Sequence, residues 1–116
     1  MTGSILLTGG TGFIGSHVAV SLLEAGQDVI IFDNLSNSDR SVVERVATIA
    51  GRAPIFVEGD LRDKSALTSV FENHQTSAVM HFAGLKSVSK SQSQSADYWD
   101  VNVGGSVNLV QAAKNA

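Results

Sequence analysis

Four glycines, Gly9, Gly10, Gly12 and Gly15, stand between a short apolar stretch, Ser4 to Thr8, and a segment whose apolar residues recur at helical spacing. Residues of these types at such a joint can hold an anion. The first-turn N–H groups of a helix lack intrahelical partners, and the helix dipole places partial positive charge at the same spot. Glycine lets the chain turn sharply out of the strand and lets a phosphate approach where a Cβ would collide. The glycines satisfy two overlapping patterns: Gly10, Gly12 and Gly15 read as G-x-G-x-x-G, while Gly9, Gly12 and Gly15 read as G-x-x-G-x-x-G. Spacing alone leaves both open.

A carboxylate supplies the second piece of chemistry. Asp33 follows the apolar run Asp28-Val29-Ile30-Ile31-Phe32. It lies about 20 residues beyond Gly12, where dinucleotide-binding folds place an acid that hydrogen-bonds the adenosine ribose hydroxyls. Because a carboxylate there repels a 2′-phosphate, Asp33 favours NAD over NADP. Glycines would also serve a tight turn with no ligand. The strand before them, the helix after them and the acid downstream are the context that makes the motif a nucleotide site.

These groups must be positioned by elements that the hydrophobic pattern delineates. A first strand runs from Ser4 to Thr8, and the helix after it carries Phe13, Ile14, Val18, Val20, Leu22 and Leu23, stopping near Gly26 in a left-handed cap. A second strand, Asp28 to Phe32, is nearly all apolar, as suits a strand covered on both faces. Ser41-x-x-Glu44 has the form of a capping box opening a helix with Val42, Val43, Val46 and Ile49 on one side, ended by Gly51 and Pro54. A third strand, Ile55 to Val57, leads to Glu58-Gly59-Asp60-Leu61, and Asp60 or Asp63 can cap the helix carrying Leu67, Val70 and Phe71. A fourth strand, Ala78 to Phe82, ends at Ala83-Gly84-Leu85-Lys86. A last helix, about Ala96 to Ala113, presents Val103, Val107, Val110 and Ala113 on one face. Alternating strands and helices predict an α/β fold: a Rossmann-like, doubly wound parallel sheet of about four strands, order 3-2-1-4, spanning residues 1–116 as one nucleotide-binding unit. Ligands in such sheets lie at the carboxyl ends of the strands. Gly9 to Gly15, Asp33 to Ser38, Asp60-Leu61 and Phe82 to Lys86 all fall there, so one extended ligand could touch all four.

Composition narrows the partners. The 116 residues hold 8 Lys plus Arg against 11 Asp plus Glu, a net charge of −3, and no basic cluster forms a nucleic-acid face. There are no cysteines, so disulfides and thiolate metal sites are excluded. His17, His74 and His81 lack metal-ligand spacing; His17 is expected to pack on the first helix. No apolar run approaches membrane-spanning length and no signal-peptide pattern opens the chain, so a cytoplasmic protein is expected. Serine at every second position from Ser87 to Ser95 reads as a solvated loop or helix entry.

With the strand ends marked, a resemblance emerges. Thr8-Gly9-Gly10-Thr11-Gly12-Phe13-Ile14-Gly15-Ser16-His17, Asp33-Asn34-Leu35-Ser36-Asn37-Ser38, Phe56-Val57-Glu58-Gly59-Asp60 and His81-Phe82-Ala83-Gly84-Leu85-Lys86 together resemble the UDP-glucose 4-epimerases, a branch of the extended short-chain dehydrogenase/reductases. The resemblance covers the whole chain, but only the first part of such an enzyme. It implies that Gly9, Gly12, Phe13, Ile14 and Gly15 cradle the NAD pyrophosphate and that Asp33 holds the ribose. Asn34, Leu35, Asn37 and Ser38 would continue around the ribose, Asp60 and Leu61 would lie along the adenine, and Phe82, Ala83, Gly84 and Lys86 would line the nicotinamide side. Asn102 matches an asparagine widespread in extended members, whereas Val101 stands where some epimerases have a cofactor-contacting asparagine.

The resemblance also implies a UDP-sugar substrate for the complete enzyme and a homodimer through the last helix. Its catalytic Tyr-x-x-x-Lys is not in this sequence. The single tyrosine, Tyr98, has Asn102 four residues on. Together with Gln111 to Ala116, which form no evident helix cap, this suggests a truncated protein or N-terminal fragment, inactive alone. Another extended family member acting on a nucleotide sugar, such as a dehydratase or decarboxylase, and a non-catalytic NAD-binding module remain the alternatives.

Overall fold

The structure, a computed structural model, describes residues 3–35, 39–82 and 105–114. Its elements are β1 (Ser4–Thr8), α1 (Phe13–Glu24), β2 (Val29–Asp33), α2 (Ser41–Ala50), β3 (Ile55–Glu58), α3 (Lys64–Asn73), β4 (Thr76–His81) and α4 (Ser106–Lys114). The four strands are parallel in the order β3-β2-β1-β4. This is the predicted Rossmann-like α/β topology, with the order reversing next to β1. The chain divides into two compact units, one holding the sheet with α1 and α2, the other holding α3, α4 and the turn at 59–63.

In the sheet unit the core explains itself from the sequence. Leu7 and Ile31 on one face of the sheet pack with Ala19 and Leu23 of α1 and Val46 of α2. Leu6 and Ile30, which strand alternation turns to the opposite face, are also fully buried. The two central strands are therefore covered on both sides, as their unbroken apolar runs require.

Three strands shift from their expected bounds, β3 only by extending one residue to Glu58. β2 runs one residue further along, from Val29 to Asp33, because Asp28 turns its side chain to Arg52 while its carbonyl accepts the Ile5 N–H, and Asp33 still pairs with Glu58 of β3. β4 begins at Thr76 rather than Ala78: Ser4 pairs with Thr76, its N–H donates to the Gln75 carbonyl, and a register shift follows between Ser4 and Ile5.

Helix ends show which local signals won. Gly26 (φ +88°) and Gly51 (φ +75°) take left-handed backbone after α1 and α2, as expected. The Ser41 capping box does not form. Ser41 is already helical, and Asp39 does the capping, its Oδ1 accepting the Ser41 N–H at 2.9 Å and its carbonyl the Val42 N–H at 3.0 Å. A charged carboxylate is the stronger acceptor and displaces the hydroxyl. At α3 the cap is Asp63, which accepts from the N–H groups of Ser65 and Ala66.

Arg52 closes the amino-terminal rim of the sheet. Its guanidinium donates to the carbonyls of Leu23 (3.0 Å) and Gln27 (3.2 Å) and pairs with Asp28 (2.7 Å), tying the α2–β3 connection to the end of α1. The group is partly exposed, so Arg52→Ala is expected to cost about 1 kcal/mol, roughly 4 °C in melting midpoint. Thermal unfolding followed by circular dichroism checks this; an unchanged midpoint would show that solvent replaces the clasp without loss.

In the second unit, Leu67 and Val70 of α3 and Leu109 of α4 are buried, as is Gly105 just before α4. Of the residues expected on one face of the last helix, Val107 and Val110 are exposed. Gly105 and Asn108 both engage Leu61, and that engagement rotates Leu109 inward. Val103 lies outside the described residues. No helix among the described residues is long and apolar enough to cross a membrane.

Candidate functional site

β1 delivers the chain directly into the glycine turn, and three of the four glycines have reasons internal to the fold. Gly9 sits at φ +73°, a backbone conformation that side chains disfavour. A Cβ on Gly10 would stand 2.7 Å from Ile31 Cγ2, and one on Gly15 would stand 2.3 Å from the Gly9 carbonyl oxygen. That carbonyl also accepts the Gly12 N–H at 3.0 Å, so Gly9, Gly12 and Gly15 close around one oxygen atom. Of the two spacings, Gly9-x-x-Gly12-x-x-Gly15 is the set that shapes the loop, and Gly10 is there for Ile31. Gly12 is different: its added Cβ would meet only the Gly9 oxygen, at 3.3 Å, and its φ is −73°. A Cβ there would require the Gly9 carbonyl to give by a few tenths of an ångström, a milder demand than at Gly10 or Gly15, which leaves close approach by a ligand as a further reason for glycine.

α1 starts immediately after Gly12. Gly12 offers it no side-chain cap, and no acidic residue occupies its first turn. The amides and partial positive charge of that turn are therefore not met by a carboxylate of the helix itself. Phe13 and Ile14 are 82% and 55% exposed, unusual for residues of their size. His17 donates from Nδ1 to the Phe13 carbonyl at 2.6 Å, and its ring lies against the Phe13 ring with centroids 4.7 Å apart, so it packs on α1 as expected.

At the end of β2, Asp33 is more than a free carboxylate. Its Oδ2 accepts the Thr11 N–H from the glycine loop at 3.2 Å, and its Oδ1 accepts the Leu35 N–H at 2.8 Å. Leu35 has φ +61°, a left-handed conformation that a leucine adopts at a cost of about 1–2 kcal/mol. Asp33 thus braces both the glycine loop and the turn after β2. Thr11 is buried; it stands at an unspecified position of the motif, so no sequence signal marked its amide as a partner of the acid.

The sheet knits the remaining strand end to the same place. The Gly9 N–H donates to the Phe32 carbonyl (2.9 Å), and the Phe82 N–H donates to the Thr8 carbonyl (2.8 Å). Thr8 Oγ1 and His81 Nδ1 share a hydrogen bond between β1 and β4. Arg40, at the start of α2, lies over the Phe56 ring, 5.3 Å from its centroid. Sequence reasoning assigned neither Thr8 nor Arg40 a partner, and His81 was marked only as part of a strand-end signature.

The sheet unit therefore brings together Gly9, Gly12, Phe13, Ile14, Gly15, Asp33, Asn34, Leu35 and Phe82 at the carboxyl ends of β1, β2 and β4. Asp60 and Leu61 follow β3 in the chain and belong to the second unit. There Asp60 accepts the Arg62 N–H at 2.9 Å and pairs with its guanidinium at 2.8 Å, and Leu61 is 4% exposed. Asn37, Ser38, Ala83, Gly84 and Lys86 lie outside the described residues, as do Tyr98, Val101 and Asn102. Among the described residues no group of His, Cys, Asp or Glu could hold a metal ion.

Comparison with known proteins places this arrangement. Among curated relatives, the UDP-glucose 4-epimerase of Erwinia amylovora is 50% identical over 113 residues, which are 97% of this chain and 34% of that protein. The UDP-glucose 4-epimerase of Klebsiella pneumoniae is 43% identical over 112 residues, 97% of this chain and 81% of that one. Among solved structures, a UDP-glucose 4-epimerase from Stenotrophomonas maltophila with bound NAD and formylated UDP-arabinopyranose matches at TM-score 0.95 and 46% identity, over 98% of this chain and 34% of its own. One from Bifidobacterium longum in complex with NAD+ and UDP matches at TM-score 0.94 and 38% identity, over 97% and 33%. The chain spans about a third of the Erwinia protein and of both crystal structures. Residues 5–116 match the NAD dependent epimerase/dehydratase family. The chain thus belongs to the NAD dependent epimerase/dehydratase family.

Proposed function

We propose that this chain is the NAD-binding portion of a UDP-glucose 4-epimerase, which interconverts UDP-glucose and UDP-galactose through a 4-keto sugar. The observation that carries the NAD reading is the pairing of Asp33 with a glycine loop whose Gly12 lacks a Cβ for no strong internal reason. In this reading Gly9, Gly12, Phe13, Ile14 and Gly15 hold the pyrophosphate at the start of α1. Asp33, with Asn34, Leu35, Asn37 and Ser38, takes the adenosine ribose, and Asp60 and Leu61 take the adenine. Phe82, Ala83, Gly84 and Lys86 line the nicotinamide side. When bound, NAD accepts and returns the hydrogen at C4 of the sugar, so the overall reaction is redox-neutral. The chain's own residues bind and orient the cofactor; the proton transfers belong to a Tyr-x-x-x-Lys pair that this sequence does not contain.

Identities of 43–50% to UDP-glucose 4-epimerases favour that activity over a dehydratase or decarboxylase of the same family. The alternative reading is a non-catalytic NAD-binding module. The UDP-sugar would be met only by the complete enzyme. The exposed Val107 and Val110 of α4 suit a homodimer contact, and a cytoplasmic location fits the absence of cysteine.

Denaturing the purified protein should release NAD identifiable by mass, or the empty protein should take it up on titration. A site that is empty and takes up none would sink both readings. In a coupled assay the chain alone should not interconvert UDP-glucose and UDP-galactose; turnover comparable to a complete epimerase would overturn the assignment of the chemistry to groups outside this sequence.

A further inference from the structure

We propose that Arg40 is a specificity-determining residue of the dinucleotide site, a cation beside the ribose that takes the 2′-phosphate of NADP once the Asp33 charge is removed. The proposal rests on the NAD reading above. Arg40 immediately precedes α2, on the connection that leaves the carboxyl end of β2. Its guanidinium lies over the Phe56 ring, 5.3 Å from the centroid. Phe56 of β3 is paired in register with Ile31 of β2, and it packs against the core cluster that contains Ile31. Strand alternation puts Asp33 on the Ile31 face, two residues nearer the carboxyl end. The cation and the acid therefore share one face of the sheet, with the Asp33 backbone about 7 Å further along and about 5 Å across from that of Phe56.

The charges around this rim fit such a role. Glu58 ends β3 opposite Asp33 in the register and is exposed, and Asp39, beside Arg40 in the chain, is engaged on the Ser41 N–H. Asp33 itself directs both carboxylate oxygens to backbone amides, those of Thr11 and Leu35. Among the described residues no carboxylate forms an ion pair with Arg40, which is exposed and held by a ring face instead of a counter-charge. A cation–π contact at an exposed site is weak, whereas arginine meets a phosphate with two parallel charge-assisted bonds. A 2′-phosphate would therefore draw the side chain off Phe56. In the native chain the Asp33 carboxylate, with Glu58 beside it, repels that phosphate. The preference for NAD is then a balance between two acids and one cation, and removing one charge tips it.

Titration calorimetry with NAD and NADP tests this on the parent, on Asp33→Asn, and on Asp33→Asn combined with Arg40→Gln or with Arg40→Lys, at a temperature where circular dichroism shows each protein folded. Asp33→Asn should raise the NADP-to-NAD affinity ratio. Adding Arg40→Gln should lower that ratio again by about tenfold, the scale of a hydrogen bond to a charged group, by weakening NADP more than NAD. Arg40→Lys keeps the charge without the planar fork and should retain part of the gain. A ratio that is the same with and without Arg40→Gln overturns the proposal while the NAD reading stands. Equal weakening of both dinucleotides also overturns it, because the residue would then serve the start of α2 and not the phosphate. A parent protein that binds no NAD overturns the NAD reading, and the proposal with it.

Discussion

Asp33→Ala is expected to weaken NAD binding about 10- to 100-fold, the range for hydrogen bonds to a charged group, and to raise the affinity for NADP relative to NAD. Two losses combine. In the proposed site the ribose hydroxyls would lose their acceptor, and the brace on Thr11 and Leu35 goes with it. Without Oδ1, Leu35 loses the bond its N–H makes at φ +61° and is freer to relax toward ordinary backbone. Asp33→Asn separates the contributions. It keeps an oxygen for Leu35 but removes the charge that repels a 2′-phosphate, so its discrimination against NADP should relax while its NAD affinity falls less than that of the alanine variant. Titration of each variant with both dinucleotides gives the ratio. If the ratio does not move in either variant, Asp33 has no role at the ribose and serves the loop alone.

The second large effect is expected at Gly15, where two physical arguments have opposite signs. Gly15 lies inside α1, and by helix propensity alone alanine would stabilise that position by about 0.5–1 kcal/mol. The added Cβ, however, would stand 2.3 Å from the Gly9 oxygen and 3.0 Å from Gly10 Cα. Backbone atoms on both sides leave no rotamer to turn away, so Gly15→Ala should destabilise the protein by about 1–3 kcal/mol, the usual cost of overpacking, and NAD uptake should be lost as the loop is displaced. Gly12→Ala is the control. Its backbone is ordinary and its contact looser, at 3.3 Å, so the fold should survive while pyrophosphate binding suffers. Melting midpoint and NAD titration for the pair decide the matter: a Gly15→Ala protein more stable than the parent would mean the loop yields easily, and a Gly12→Ala protein that binds NAD normally would mean no ligand approaches there.

Much of this fold could be read from residue order. Apolar runs located β1 to β4, Gly26 and Gly51 marked helix ends, and the acid at the end of β2 picked out the turn that proved to be wired to the glycine loop. What escaped was decided by competition or by distance. Ser41-x-x-Glu44 fits a capping box, but Asp39 is the better acceptor and starts α2 earlier. Val107 and Val110 have helical spacing, yet the contacts that Gly105 and Asn108 make with Leu61 cannot be read from periodicity within the helix. Arg52 and Asn108 look like ordinary surface residues until partners 24 to 47 residues away are folded against them. At the glycine loop, pattern matching offered two registers, and only the shared Gly9 oxygen shows which glycines act together.

The Arg52 clasp carries one more consequence. It gathers its partners, Leu23, Gln27 and Asp28, at the end of the sheet opposite the glycine loop, Asp33 and Phe82. The two rims of the sheet thus answer to different demands: one holds connections shut, the other presents amides and a carboxylate. Substitutions at the clasp rim should register in thermal stability and leave ligand preference alone, so the opposite rim is free to drift in specificity without drawing on the same contacts. Separation of that kind lets a single scaffold diversify its chemistry while its folding remains robust to the change.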